Sequence, residues 1–373
     1  MIGHSFDSID SMENIFVKTG TTPASQIYNC PDADPVPALD AILAGYDRVY
    51  AVADSLAAEK CPGAGKIVEH LSSKGCPVFG INASEAEKSM DIVLAIASFL
   101  MEQGADRDAL VLAIGGGITT DMTGFAASIY KRGVRFAFFP TTLLSQVDAA
   151  IGGKTGVNFL NFKNMLGVIR QPEFTFLSPS VLLSLPKEDL LCGCAEMLKT
   201  FIIQDDGNYQ KAVSLFSALH QGAHLSSLLS EMSALVGASA RVKAGVVSRD
   251  QFEKGERRNL NLGHTFAHAM ESLAMENNIH LPHGLAVGIG TVLAAKCADS
   301  LGLSDGSLER RLRTDFNACG LPVDCPFPLE NLAPAMYKDK KAAGKKVHFI
   351  LPEGIGKVVV RDMTPEEAVE LIG

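Results

Sequence analysis

Strand-like and helix-like stretches alternate along the first half of the chain, and this alternation limits the fold more than any other feature. Short apolar runs stand at "RVYAVAD" (48–54), "PVFGIN" (77–82), "ALVLAIGGG" (109–117) and "RFAFFP" (135–140). They stop at Asp54, Asn82, a glycine triplet and Pro140. Between the second and third runs, 85–103 repeats apolar residues every three or four positions and ends at Gly104, which predicts an amphipathic helix. Strands alternating with helices predict a parallel sheet covered on both faces.

After "LSPSVLLSLPKED" (177–189) the β-branched runs give out, and helical periodicity continues through 190–250, 263–277, 284–301 and 305–319. A late β-like piece follows at "KVHFILPEGIGKVVV" (346–360). The prediction is an α/β, Rossmann-like nucleotide-binding domain over 1–178 and a mainly helical, all-α domain over 179–373. A ligand is expected in the cleft between them. With 373 residues and 47% hydrophobic content, each domain can bury its own core.

Charge and cysteine usage narrow the function classes. A net charge of −9 disfavours nucleic acid and anionic membrane surfaces, since a polyanion is repelled on average. Any bound anion therefore needs a local group of cations. The eight cysteines have no C-x-x-C spacing, which suits reduced thiols in a cytoplasmic protein. The start "MIGHSFDSID" has neither a basic opening nor an apolar run, and the apolar stretches near 92–101 and 285–295 are too short to span a bilayer.

Three motifs carry chemistry. The segment "IGGKTGVNFLNFKNMLG" (151–167) combines glycines, asparagines, Lys154 and Lys163 with no acid, a composition suited to an anion. In "LVLAIGGGITTDMTGFAASIY" an apolar run enters Gly115, Gly116 and Gly117 and then a predicted helix, whose first N–H groups attract phosphate. It is not G-x-G-x-x-G, because position 120 is threonine, and no acid follows about twenty residues on. In "NLGHTFAHAMES" (261–272), His264 and His268 lie four apart on one helical face. His283 opens a later helix, and Glu196 offers a carboxylate. Three N/O ligands with an open position suit a catalytic Zn2+ or Co2+, although spacing does not choose between His264 and His268. Lys199, Lys243, Arg132, Arg257, Lys340 and Lys341 are the further cations for a phosphate and a carboxylate.

Taken in order, "GGGITTDMTGFAAS", "RGVRFAFFPTTLLSQVDAAIGGKTGVN", "KNMLG", "QPEF", "SLPKEDLLCGCAEMLK", "NLNLGHTFAHAMES", "HGLAVGIG" and "DKK" resemble the 3-dehydroquinate synthase family over about residues 48–360. The resemblance implies a shikimate-pathway lyase. It would convert 3-deoxy-D-arabino-heptulosonate 7-phosphate (DAHP) to 3-dehydroquinate by transient oxidation with NAD+, β-elimination of phosphate, re-reduction, ring opening and an intramolecular aldol closure. A homodimer is implied as well.

Carried over by motif, NAD+ would be contacted by Asp54, Glu85, Lys88, Gly115, Gly116, Gly117, Asp121, Thr141, Thr142, Lys154, Lys163 and the segment Val181, Leu182, Leu183 and Ser184. The metal would be held by Glu196, His264 and His283, which makes His268 a substrate-side residue. Substrate would be gripped by Arg132, Asp148, Lys154, Lys163, Asn164, Lys199, Lys243, Arg257, Asn261, His268, Lys340 and Lys341. Arg257, Asn261 and His268 match this family rather than the valiolone-type cyclases similar to it. The chain departs at Leu285, which replaces the acid of His-Gly-Glu-Ala-Val beside a metal ligand and removes a hydrogen-bonding group there. It also departs at Ala149-Ala150, where two serines are usual, and at "NASEAEK", where serine replaces glycine.

Overall fold

The computed structural model describes residues 12–19, 22–160, 162–340 and 346–373. Strands are β1 (Glu13–Thr19), β2 (Thr22–Asn29), β3 (Val49–Asp54), β4 (Val78–Ile81), β5 (Leu110–Gly115), β6 (Arg135–Pro140), β7 (Lys154–Phe159), β8 (Phe162–Ile169), β9 (Phe174–Leu177), β10 (Val347–Gly354) and β11 (Lys357–Met363). Helices are α1 (Val36–Leu43), α2 (Ser55–Lys60), α3 (Pro62–Ser73), α4 (Met90–Glu102), α5 (Gly117–Ile129), α6 (Lys187–Gln204), α7 (Asp206–His220), α8 (Leu229–Arg249), α9 (His264–Glu276), α10 (His283–Ser300), α11 (Leu308–Ala318), α12 (Leu332–Lys340) and α13 (Pro365–Ile372). The chain forms two compact units, Met1–Leu190 with Leu225–Phe252, and Leu191–His224 with Glu253–Gly373. The division therefore differs from a single cut at 178/179.

The first unit is built on a sheet of order β1-β2-β9-β6-β5-β3-β4. From β2 onward the pairs are parallel, and β1 adds an antiparallel edge that the sequence patterns did not predict. All of β5 and most of β6 are buried, so their unbroken apolar runs are those of central strands covered on both faces. The chain passes from β3 outward to β4, then back past β3 to β5 and on to β6. The direction of winding therefore reverses between β3 and β5, and the crevice at their C-terminal ends is where such sheets receive ligands.

Helix α8, expected with the helical half, belongs to this first unit. Asn29 Nδ2 donates to the Ser233 carbonyl at 3.1 Å, and the Lys18 N–H donates to Ser248 Oγ at 3.0 Å. The helix thereby covers the antiparallel β1–β2 edge. A second difference concerns 85–103, which is not one helix. Ser84 Oγ caps a short 3-10 turn at Glu85–Glu87, Lys88 (ψ 73) leaves helical geometry, and α4 starts only at Met90.

The 151–167 segment, for which the sequence patterns gave no strand, is a β-hairpin of β7 and β8. Gly156 and Gly167 face each other in register. A Cβ on Gly167 would stand 2.2 Å from the Thr155 carbonyl oxygen, and one on Gly156 2.4 Å from that of Leu166. These two glycines serve strand pairing.

The second unit packs helices around α10, whose small residues are buried nearly all round. Its Gly284 lies against the backbone of Cys192 on α6, where a Cβ would come within 2.4 Å of the Cys192 carbonyl oxygen. Its Gly290 lies against Gly263 at the start of α9, where a Cβ would come within 2.2 Å of that carbonyl oxygen. The two glycines thus let three helix backbones approach one another. Strands β10 and β11 form the late hairpin predicted near 346–360.

Candidate active site

At the C-terminal ends of the first unit's strands, β5 ends in Gly115 and α5 starts at Gly117 with no side chain capping it. An uncapped helix start offers backbone N–H groups to an anion. The buried hydroxyls of Thr119 and Thr141 have no hydrogen-bond partner among the described residues. The strand register sets Asp54 beside this turn, since Ala53 pairs with Ile114. An acid thus stands beside the glycines on the neighbouring strand β3. Its carboxylate caps α2 through Leu56 and Ala57, and burial raises its pKa. Thr141 N–H donates to the Gly115 carbonyl at 2.9 Å, bringing Thr141 and Thr142 to the same edge. The 3-10 turn Pro179–Ser184 follows β9 at this edge, with Val181 and Leu182 buried and Leu183 and Ser184 exposed. Uncapped N–H groups, orphaned hydroxyls and an acid at a switch point fit a dinucleotide.

The β7–β8 hairpin is tied to this edge through Lys88. Its buried ammonium donates to Asp121 Oδ2 at 2.5 Å and to Asn164 Oδ1 at 2.6 Å. Desolvation pushes Asp121 up to about 6 although Lys88 pulls it down. Asn164 takes a left-handed backbone (φ 53), which asparagine tolerates better than most residues. Lys154 opens β7 at the hairpin base, whereas Lys163 lies near its tip. Lys243 on α8 donates to both the carbonyl and Oδ1 of Asp148, each at 2.6 Å, and Asp148 lies in the π-helical turn Ser145–Ala149. Such turns recur at functional sites.

The second unit gathers the metal-ligand types. Glu196 on α6 and His264 and His283 at the starts of α9 and α10 bring ligand atoms within 4.8 Å of one another. His264 Nε2 is 3.7 Å and His283 Nε2 3.5 Å from Glu196 Oε1. Tetrahedral ligands about 2.0–2.1 Å from a zinc ion stand about 3.4 Å apart, so small shifts would close these atoms on one ion. Each imidazole turns its other nitrogen to an acceptor. His264 Nδ1 meets the Leu262 carbonyl at 3.2 Å and His283 Nδ1 meets Glu271 Oε2 at 3.1 Å. These partners orient both rings with Nε2 toward the site.

Charge in this cluster has clear signs. Burial and the Lys199 ammonium depress His264 to about 3, which keeps it neutral. Burial would lower His283 too, but hydrogen bonds to Glu196 and Glu271 raise it to about 10, so a cation must displace that proton. Burial opposes ionisation of Glu196, yet Lys199 and the two imidazoles hold its carboxyl well below the usual range. Lys199 Nζ lies 2.5 Å from Glu196 Oε2, outside good hydrogen-bond direction, and both side chains are 1% exposed. That oxygen otherwise has no partner among the described residues, and a buried anion so placed fits a divalent cation.

His268, Glu271 and His283 form a second group of the same span. Because Glu271 is hydrogen-bonded to His283 Nδ1, this group supports the first rather than duplicating it. Glu271 was not singled out from sequence, although its position seven residues after His264 on α9 was the available signal. The His268 ring lies 5.7 Å from that of His264. Arg257 is buried at 3% exposure, and Asn261 Nδ2 donates to Glu253 Oε1 at 2.7 Å.

Arg132 is not gathered with the other residues. It is exposed on a turn with positive φ at Lys131, Arg132 and Gly133, just before β6. β6 runs from there to Pro140, which pairs with Gly115, so the strand separates Arg132 from the glycine turn by about 20 Å. The Lys340 side chain and all of Lys341 lie outside the described residues.

Known proteins agree with this architecture. A family model described as 3-dehydroquinate synthase N-terminal matches residues 78–192, and one described as 3-dehydroquinate synthase C-terminal matches 193–342. The 3-dehydroquinate synthase of Crocosphaera subtropica is 38% identical over 311 residues, 81% of this chain and 83% of that protein. A 2-epi-5-epi-valiolone synthase from Streptomyces hygroscopicus, solved with NAD+ and Zn2+ bound, is 27% identical with a TM-score of 0.79, covering 95% of this chain and 98% of that one. A 2-deoxy-scyllo-inosose synthase complexed with carbaglucose-6-phosphate, NAD+ and Co2+ shares the fold at 21% identity and a TM-score of 0.78, covering 97% and 99%. With both family halves matched in succession across the glycine turn, the hairpin and the Glu-His-His cluster, the chain belongs to the 3-dehydroquinate synthase family.

Proposed function

We propose that the chain is a 3-dehydroquinate synthase, a lyase of the shikimate pathway that converts DAHP to 3-dehydroquinate and inorganic phosphate. The observation that carries this reading is the convergence of Glu196, His264 and His283 in a chain that matches both family halves in order. NAD+ and a divalent ion, Zn2+ or Co2+, are its cofactors. When bound, the dinucleotide supplies a reversible hydride acceptor, and the ion a Lewis acid for the hydroxyl that is transiently oxidised.

The chain's residues bind and orient. The uncapped start of α5, with Gly115, Gly116 and Gly117, takes the dinucleotide phosphates, while Asp54, Thr141, Thr142 and the Val181–Ser184 turn border it. Glu196, His264 and His283 hold the ion, and Lys199 holds Glu196 ionised. Lys88 occupies Asn164 Oδ1, so Nδ2 is the end left to donate to a substrate phosphate oxygen. Lys154 and Lys163 add charge for the anions. Asp148 fixes Lys243 in place. The Arg257 guanidinium has the planar fork that matches a carboxylate, and Asn261 and His268 donate to substrate oxygens. In the elimination the leaving phosphate's own oxygen takes the proton. The pocket therefore needs fixed donors and cations more than a nucleophile.

A homodimer in the cytoplasm completes the proposal, with the unit Met1–Leu190 and Leu225–Phe252 binding the cofactor and the unit Leu191–His224 and Glu253–Gly373 holding the metal. Arg132 then serves substrate in the second copy, because in its own chain it stands at the wrong end of the sheet. No helix among the described residues is long and apolar enough to cross a membrane.

The test is phosphate release from DAHP by the purified chain, with and without chelator and with Zn2+ or Co2+ restored, while NADH absorbance is followed. The expected result is metal-dependent release, 3-dehydroquinate as product and no accumulation of NADH. Turnover of sedoheptulose 7-phosphate but not of DAHP would overturn the proposal in favour of a valiolone-type cyclase.

A further inference from the structure

We propose that Asn158 is a positioning residue that holds the cofactor-side Glu85–Lys88 turn and the substrate-side Asn164 in one fixed relation. This rests on the reading given under Proposed function. Asn158 lies on β7, near the hairpin tip, and is half-buried. Four hydrogen bonds converge on it. Its N–H donates to the Lys88 carbonyl at 2.9 Å. Its Nδ2 donates to Glu85 Oε1 at 2.8 Å and to the Glu85 carbonyl at 3.3 Å. Its Oδ1 accepts from the Asn164 N–H at 2.9 Å.

The orientation of this amide is fixed by its partners. A carboxylate oxygen and a carbonyl demand the donor end, and a backbone N–H demands the acceptor end. The two ends thus face different tasks. Nδ2 anchors the turn carrying Glu85 and Lys88, which the family resemblance gives to NAD+. Oδ1 holds Asn164 in its left-handed conformation, with its own Oδ1 on Lys88 and its Nδ2 toward the phosphate. Aspartate keeps the acceptor, lacks the donor and sets a second negative charge against Glu85. Alanine removes both.

The experiment uses the full Zn2+-loaded chain and measures the NAD+ dissociation constant by calorimetric titration, the KM for DAHP and the melting temperature. Loss of a hydrogen bond to a charged partner predicts about a tenfold rise in the NAD+ dissociation constant for Asn158→Asp, with the DAHP KM changed less than about twofold. Asn158→Ala raises both constants. In Glu85→Gln/Asn158→Asp the amide and carboxylate exchange roles, so that variant binds NAD+ as Glu85→Gln alone does, within about twofold. A purely structural role would not produce that rescue or the split between the two constants.

Unchanged NAD+ affinity in both Asn158 variants overturns the inference. So does a parallel loss of both constants in Asn158→Asp with a fall in melting temperature of more than about 5 °C and no rescue. Failure of the parent chain to bind NAD+ overturns the functional reading beneath it, and this inference with it.

Discussion

Glu271 Oε2 stands 3.1 Å from Nδ1 of His283, so this imidazole keeps a carboxylate partner although Leu285 occupies the family's acidic position. A carboxylate behind a ligating histidine orients the ring and raises its basicity, and losing such a partner costs about 10–100-fold in metal affinity. Glu271→Ala is therefore expected to lower Zn2+ affinity by that factor in a competition titration against a chelator. Glu271→Gln, whose amide oxygen still accepts the Nδ1–H, loses less. Equal affinities in parent and both variants would mean that another group orients His283.

Arg132 gives a test of assembly. If it completes the site of a second copy, Arg132→Ala and Lys199→Ala are each inactive alone, yet mixed dimers hold one site free of both defects. Random mixing of equal amounts makes half the dimers hybrid, so about a quarter of parent activity returns. The check is phosphate release after the two variants are co-expressed and purified together. Absence of recovery, with hybrid dimers confirmed by differential tags, would mean that Arg132 does not complete the site of a second copy.

Much of this was legible in sequence because the governing patterns are local. Unbroken apolar runs marked β3, β5 and β6, and the i, i+4 histidines marked the helix that carries His264 to Glu196. Spacing left His264 and His268 equivalent. Only the crossing of α6, α9 and α10, set by Gly284 against Cys192 and Gly290 against Gly263, brings His264 rather than His268 to Glu196. The hairpin was missed because its glycines and asparagines have the composition of a loop, while its pairing depends on Gly156 meeting Gly167. Likewise α8 carries an ordinary helical pattern, and nothing local says that it covers the β1–β2 edge. Neither Asn158 nor Glu271 belongs to a periodic pattern of apolar residues. Their roles follow from partners distant along the chain or on another element.

The Gly156–Gly167 pair predicts a stability effect apart from catalysis. Gly167→Ala places a methyl group against the Thr155 carbonyl, and backbone cannot move aside as a flexible side-chain end can. Overpacking of this kind costs about 1–3 kcal/mol, read as a lower urea midpoint at unchanged slope. Alanine at Gly354, where a Cβ would meet nothing within 4 Å, is the control and should move the midpoint far less. Equal midpoints for Gly167→Ala and the parent would show that the strands part without cost.

Asp121 predicts a pH dependence. Desolvation raises its carboxyl from 3.8 to about 6, against the pull of Lys88 and Lys243 and with a smaller push from Glu85. Between those values the folded chain keeps a proton that the unfolded chain has lost. Its contribution to stability therefore falls as pH rises through that window and is level above it. Asp121→Asn removes the term, so the stability of that variant minus the parent's should climb from about pH 4 to about pH 6 and then flatten. Lys88→Met removes the nearest cation, drives the carboxyl higher and carries the climb beyond pH 6. Taking the difference between urea curves at unit pH steps cancels the other carboxylates of the chain. A flat difference, or one that slopes downward, would mean that Asp121 stays ionised throughout and that its bond to Lys88 outweighs the cost of burial.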